Sequence, residues 1–357
     1  MAPPSTLPAS FVCTPKIDFS KTIDTSNLKG KNVIVTGGAN GLGEGCVKAF
    51  AEAGAYVSIL DIAEDKGQQV ADALTEKEYH VQFIKTDTTS WDSQLAAFKS
   101  AINFTPVPAL DLVLASAGLT GRSAESWLET TPKDLSTDPA PPSTATLDVN
   151  LLGLYWTLHL ALHFFKATST PRGGTEDGKE EGKGKGKPAS KHLLLISSLA
   201  AYVPLLNIAD YNASKYGVRG LWRAVRNSSS ILGPDPSAPS FRCNLICPTF
   251  IRTQMTAAIE PGLRAMDIEM GEVADVVAAV VRVACDDAVR GRAVAVCKGV
   301  GEPGDRNFDL GDDWEGGDGG REVLEGILEG RLRGLEGVGR ARYRDAGERK
   351  EYGVEEG

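Results

Sequence analysis

The sequence predicts an α/β fold: a doubly wound parallel sheet of about seven strands, of the Rossmann type, with helices on both faces. Three observations lead there. Between residues 28 and 300, short runs rich in Val, Ile and Leu alternate with longer helical stretches, the pattern of parallel strands joined by helical crossovers. The first run enters a glycine-rich loop that opens a helix, and several later runs end in small or polar residues. With 42% hydrophobic residues in 357, the chain has ample apolar material for a core.

Residues 1–24 contain Pro and Ser with no sustained period, so they read as an arm that packs irregularly or stays mobile. The first strand, 32–35, is followed by Thr36-Gly37-Gly38-Ala39-Asn40-Gly41-Leu42-Gly43 and a helix at 44–53. Glycines permit a tight turn and close approach of the backbone to a pyrophosphate, and the helix start offers unpaired N–H groups to the anion. Thr36, Gly37, Gly38, Asn40, Gly41, Leu42 and Gly43 are therefore candidate dinucleotide contacts. The second strand, 56–60, ends in Asp61, whose carboxylate can accept hydrogen bonds from the ribose hydroxyls of an adenosine and would repel a 2′-phosphate. Neither the glycine loop nor the two residues after Asp61 supply an Arg or Lys, so NAD is expected and NADP is disfavoured. Asp61 also suits the start of the helix at 63–74, and the two roles can coexist.

The third strand, 81–85, leads to Thr86-Asp87-Thr88, where Asp87 can reach an adenine and Thr88 lies beside it; the fourth, 110–115, leads to Ser116-Ala117-Gly118, which leaves space for a cofactor. The fifth, 192–196, ends at Ser197 and Ser198, and the helix that follows carries Tyr211 and Lys215, four residues apart and so on one face. A lysine cation there, with a positively charged nicotinamide nearby, is expected to pull the tyrosine pKa down from about 10 and make it an acid/base near neutrality. The sixth strand, 242–246, precedes Pro248 and Thr253, and the seventh spans 293–297.

Taken together, these residues resemble the short-chain dehydrogenase/reductase family over nearly all of residues 28–300. Its TGxxxGxG loop is matched by residues 36–43, its YxxxK by Tyr211 and Lys215, its active-site serine by Ser198, and its catalytic asparagine by Asn150 in the run LDVNLLG. The resemblance implies that Tyr211 exchanges a proton with the substrate oxygen, Ser198 orients that oxygen, and Lys215 holds the nicotinamide ribose. It further implies that Asn150 helps to position a relay water and Thr253 binds the carboxamide. On the residues alone, Asn150 also reads as a helix-breaking polar residue and Ser198 as a cap of the next turn. The wording SILD at 58–61 and ISSLA at 196–200 looks like the branch of 15-hydroxyprostaglandin dehydrogenase and of fungal dehydrogenases acting on hydroxylated polyketides. The chain departs from the family where NNAG becomes ASAG at 115–118, removing an amide that ties the central strand down, and where PG becomes Pro248-Thr249.

Composition narrows the rest. The net charge of −9 sits mostly in residues 302–357, with 16 acidic and 9 basic side chains, and the body carries no long basic stripe, so nucleic acid is not an expected partner. Six scattered cysteines without a CxxC pair fit a reducing compartment, and Cys243 and Cys247 read as small buried hydrophobes. His159 and His163, a helical turn apart, have no evident third ligand, so no metal is expected. No secretory signal or run of about 18 apolar residues appears, so a cytoplasmic protein without membrane association is expected. Residues 168–190 are nearly devoid of apolar side chains and read as a disordered insertion, looped out away from the cofactor. The resulting organisation is an arm at 1–24, an NAD-binding catalytic domain at 25–305 and an acidic, Gly-rich tail at 306–357, with one possible helix at 322–335.

The apolar stretches at 199–208 and 255–270, which wall the substrate pocket in the family, point to a secondary alcohol or ketone on a mid-sized apolar molecule. A polyketide or other secondary metabolite, or a hydroxylated lipid, fits that description. Competing readings are a catalytically silent NAD-binding regulator, an NADPH-dependent ketoreductase, and an extended-type epimerase or dehydratase; the loop spacing and tail disfavour the last. The family also implies a homodimer or homotetramer through the helices carrying Asn150 and Tyr211.

Overall fold

A computed structural model describes residues 16–124, 126, 136–168, 191–226, 241–265, 268–298 and 306–311. The expected disordered insertion, apart from Thr168, and the helix at 322–335 lie outside these residues. The strands are β1 (Asn32–Thr36), β2 (Tyr56–Asp61), β3 (Val81–Lys85), β4 (Leu112–Ala115), β5 (Lys191–Ile196), β6 (Phe241–Pro248), β7 (Ala293–Val296) and β8 (Asn307–Gly311). They form one sheet in the order β3-β2-β1-β4-β5-β6-β7-β8. The first seven are parallel, and β8 pairs antiparallel with β7.

Alternation along each strand explains why both faces are covered. Val33 and Val35 of β1, with Leu194 and Ile196 of β5, join one apolar cluster; Ile34, Leu193 and Leu195 join the other. A period of two assigns neighbouring side chains to opposite faces, so a strand buried on both must be apolar throughout. Helices α1 (Gly41–Glu52), α2 (Glu64–Thr75) and α7 (Val273–Cys285) contribute to the first cluster. Helices α3 (Trp91–Ile102), α4 (Leu154–Ala167) and α5 (Ala209–Val225) contribute to the second. A short helix, α6 (Glu260–Ala265), lies between β6 and α7. Each fully buried Val, Leu, Ile or Phe stabilises this arrangement by roughly 1.5–3 kcal/mol.

The chain runs outward from β1 to β3, returns to place β4 against the other side of β1, and then runs outward again. Strand order therefore reverses between β1 and β4, and their carboxyl ends diverge into a crevice suited to a ligand.

The sheet has eight strands where about seven are expected. The additional strand lies in the segment read as tail because five residues with two apolar side chains, Phe308 and Leu310, carry too little periodicity to stand out. It is held by Asp309, whose carboxylate accepts from Arg292 Nε at 3.1 Å and Nη2 at 2.7 Å, and from the Ile17 N–H at 2.7 Å. The described part of the N-terminal arm is also fixed to α7, where Arg282 donates to the carbonyls of Asp18 and Phe19, each at 3.2 Å, and of Lys21. The five described cysteines, Cys46, Cys243, Cys247, Cys285 and Cys297, are buried, and no metal-binding cluster occurs among the described residues. No helix among the described residues is long and apolar enough to cross a membrane.

Candidate active site

Burial forces the glycine loop into one shape. Gly37 sits at φ +68°, and a Cβ there would lie 2.6 Å from the Ala117 Cα, so the loop after β1 comes closer to the loop after β4 than any residue but glycine allows. A Cβ on Gly43 would lie 2.1 Å from the Gly37 carbonyl oxygen, which packs the first turn of α1 directly onto the loop. Asn40 precedes α1 without a side-chain cap, leaving the helix start open toward the crevice.

The crevice is a cleft of about 510 Å³. Of the residues expected to contact a cofactor, Gly37, Asn40, Gly41, Leu42, Gly43, Asp61, Asp87, Thr88, Ala117, Gly118, Tyr211, Lys215, Pro248 and Thr253 all line it. Thr36 and Gly38 stand behind this lining. The Thr36 hydroxyl accepts from the backbone N–H groups of Ser116, at 3.1 Å, and Ala117, at 3.3 Å. It thus ties β1 to β4 where the family's asparagine is absent. Cleft residues that the sequence does not mark as such include Ile62, Thr249 and Gln254, whereas Met255 comes from the apolar stretch at 255–270 expected to wall the substrate pocket. Ile62 is 63% exposed directly after Asp61, and an exposed large apolar residue at a strand end is the only local signal it carries.

Asp61 accepts from Ala39 N–H at 3.0 Å and from Ala63 N–H at 2.9 Å, so it braces the glycine loop and the turn into α2, whose N-cap is Ala63 rather than Asp61. Asp87 accepts from the Thr89 N–H at 2.8 Å and hydroxyl at 2.7 Å, which turns the chain after β3 toward the cleft.

Four residues were expected to carry the chemistry. Lys215 is 6% exposed; its Nζ lies 5.5 Å from the Tyr211 ring centroid and donates to the Ile196 carbonyl at 3.4 Å. Burial lowers its pKa from 10.5 to about 8. The Ser198 hydroxyl donates to the Pro248 carbonyl at 3.2 Å, caps the following turn by accepting from Ala200 N–H at 3.0 Å, and interacts with the Tyr211 phenol. Ser198, Tyr211 and Lys215 thus converge at the carboxyl ends of β5 and β6. Asn150 is fully buried in a π-helical stretch, Asp148–Gly153, ahead of α4. Its Oδ1 accepts from Leu119 N–H at 2.7 Å, and its Nδ2 donates to the Leu119 carbonyl at 2.9 Å and the Ser214 hydroxyl at 3.2 Å. It clamps the loop after β4 to α5, and a Cβ on Gly118 would lie 3.3 Å from its Oδ1 and 3.8 Å from Lys215 Nζ.

The expected lowering of the Tyr211 pKa includes a nicotinamide charge, and in the protein alone the shift runs the other way. Burial raises it above 10.0, and the Ser198 hydrogen bond only opposes that rise. Lys215, though still mostly protonated at pH 7, is itself desolvated, and for Tyr211 burial outweighs the other influences in the protein alone.

His159 packs near Trp91, with ring centroids 5.7 Å apart, and His163 packs edge-on against Phe164 at 4.9 Å. Both are exposed on the outer face of α4 apart from these ring contacts.

Comparison with known proteins agrees with this geometry. The family model for short chain dehydrogenases matches residues 31–179 and 180–264. The chain is 36% identical to an NADP-dependent dehydrogenase M3 of a Phoma species over 89% of each chain. It is 36% identical to a 5'-hydroxyaverantin dehydrogenase of Dothistroma septosporum, over 84% of this chain and 92% of that one. Among solved structures, a 3-hydroxyacyl-CoA dehydrogenase type-2 from Mycobacterium avium superposes with a TM-score of 0.57 at 27% identity, covering 74% of this chain and 94% of the other.

Proposed function

The chain belongs to the short chain dehydrogenase family, as a nicotinamide-dependent oxidoreductase acting on CH–OH groups, and from that premise we propose that it interconverts a secondary alcohol and a ketone on a mid-sized apolar substrate with NAD. The observation that carries this reading is that Tyr211 and Lys215 line a glycine-bordered cleft together, with Ser198 hydrogen-bonded to Tyr211 beside it. The family relatives named for 5'-hydroxyaverantin support a polyketide-like substrate.

The residues present fit a dinucleotide. The glycine loop brings backbone within reach of a pyrophosphate, Asp61 suits the adenosine ribose, and Lys215 with Thr253 suits the nicotinamide end. When bound, the cofactor supplies the carbon that accepts the hydride. Tyr211 takes the hydroxyl proton of the alcohol, or returns it to the ketone oxygen, and Ser198 fixes that oxygen in line. The Lys215 ammonium, 5.5 Å from the Tyr211 ring centroid, stabilises the phenolate form in which Tyr211 takes that proton, and the phenol form returns it. Asn150, with every polar atom engaged by the chain, keeps the loop carrying Gly118 in place beneath them.

A second reading, NADP as the cofactor, is favoured by the names of two relatives, the NADP-dependent dehydrogenases of Phoma and of Cochliobolus lunatus. Against it stands Asp61, whose carboxylate would meet a 2′-phosphate, with Ile62 and Ala63 offering no cation. The test is to follow nicotinamide reduction at fixed alcohol with NAD and with NADP, using Tyr211→Phe as the inactive control. A turnover advantage for NAD that Tyr211→Phe abolishes supports the proposal, and equal activity in the variant overturns the role of Tyr211.

A further inference from the structure

After β6 the chain leaves the sheet, crosses the mouth of the cleft and returns before α7. The two ends of this excursion are pinned together: Arg252 N–H donates to the Gly271 carbonyl at 2.9 Å, Gly271 N–H donates to the Phe250 carbonyl at 2.9 Å, and Ile251 bridges Gly271. Within it, Thr253, Gln254, Met255 and Thr256 line the cleft, and Thr253 faces the glycine loop, its Cγ2 3.5 Å from where a Cβ on Gly41 would lie. The near part of the excursion is held locally, because the Thr256 hydroxyl donates to the Ile251 carbonyl at 2.6 Å.

The far part, α6, is held by charge. Arg252 does not line the cleft, but its Nε donates to Glu260 Oε1 of α6 at 3.0 Å and its Nη1 to Glu272 Oε1. Glu272 is the N-cap of α7, where it forms a reciprocal capping box with Asp275, and α7 packs on the sheet. Arg264 adds a second donor to Glu260 at 3.2 Å. One guanidinium therefore joins α6, at the far end of the excursion, to the start of α7, and its planar fork serves two carboxylates at once.

We propose that Arg252 is a positioning residue that holds the excursion from Thr253 to Ala265 over the cofactor cleft by joining Glu260 to Glu272. The proposal rests on the cofactor reading above for its effect on binding, but the clamp itself is a property of the protein alone. An isolated exposed ion pair contributes little, so the effect is modest and local: loss of the clamp loosens the excursion without unfolding the sheet.

The test compares the full-length protein with Arg252→Met and Glu260→Gln, the second cutting only the α6 limb in case the first folds poorly. Hydrogen exchange without nucleotide reads the clamp directly; both variants are expected to exchange several-fold faster across residues 253–265 and unchanged in β5 and β6. NADH titration is expected to show an affinity weakened about fivefold to tenfold, with KM raised and kcat changed less, and 0.5 M salt is expected to move the wild type toward the variants. The charge-swapped pair Arg252→Glu with Glu260→Arg recovers part of the affinity. Unchanged exchange at 253–265 in both variants overturns the clamp. If the wild type binds no NADH at all, the cofactor reading fails while the exchange result still decides the clamp.

Discussion

A buried lysine near a buried phenol is an unstable arrangement that a positively charged ligand relieves. Without nucleotide, Tyr211 lies above its ordinary pKa of 10.0 and Lys215 falls to about 8, both through burial. In a spectrophotometric titration, the difference between wild type and Tyr211→Phe is therefore expected to show no phenolate from Tyr211 below pH 10, and to show one at lower pH once NAD is added. Lys215 also gives a stability signature. Its folded pKa is below its unfolded 10.5, so between about pH 8 and about pH 10.5 the unfolded chain binds more protons and stability rises with pH. Below about 8 the full penalty of burying the charge is present. Lys215→Met removes this rise, and thermal midpoints measured across that window are expected to climb more in wild type than in the variant; parallel curves would refute the assignment. Tyr211 and Lys215 are legible in the sequence because four residues on a helix fix their geometry. Asn150 and Thr36 are legible only as types: their partners Leu119, Ser214 and Ala117 lie 31, 64 and 81 residues away, and only the fold brings them together.

The glycine loop between β1 and α1 is the element on which the site depends most. Gly37→Ala combines a left-handed φ with a Cβ 2.6 Å from the backbone of Ala117, so something must shift. Backbone strain of this kind costs about 1–3 kcal/mol, and the displaced loop no longer fits a pyrophosphate. A lowered thermal midpoint together with loss of NADH binding is the expected outcome; retained binding would mean the loop is not the phosphate cradle. The parallel strands are readable in advance because each is a near-continuous apolar run, buried on both faces. Their ends shift by only one or two residues, as when β6 extends from the expected 242–246 to Phe241–Pro248. β8 escapes because it is a short edge strand, paired to β7 and anchored by the buried Asp309, with too few apolar residues to show a period.

Across the whole molecule, Asp309 joins the N-terminal arm, β7 and β8. Its side chain is wholly buried and that of Arg292 is 11% exposed, so Asp309→Ala leaves a largely buried guanidinium without this partner and frees the Ile17 N–H. Removing one member of a buried pair destabilises by about 3–5 kcal/mol, and urea unfolding is expected to show a loss of that order, with nucleotide affinity little changed because the cleft lies at the carboxyl ends of β1 and β4. A loss below about 1 kcal/mol would show that β8 and the arm are not coupled through this residue. Thr168, where α4 ends, is fixed by the same logic: its hydroxyl accepts from Leu110 N–H at 3.2 Å, ahead of β4, and donates to the Phe164 carbonyl at 2.8 Å.

The central claim is that the cleft between β1 and β4 binds a nicotinamide dinucleotide with Asp61 selecting its adenosine end. The most direct measurement is a fluorescence titration of wild type and Asp61→Ala with NADH and with NADPH. The account expects wild type to bind NADH more tightly than NADPH, and Asp61→Ala to weaken NADH by about tenfold and narrow the gap. Tighter NADPH binding by wild type would contradict the role given to Asp61, and binding of neither nucleotide would contradict the dehydrogenase reading itself.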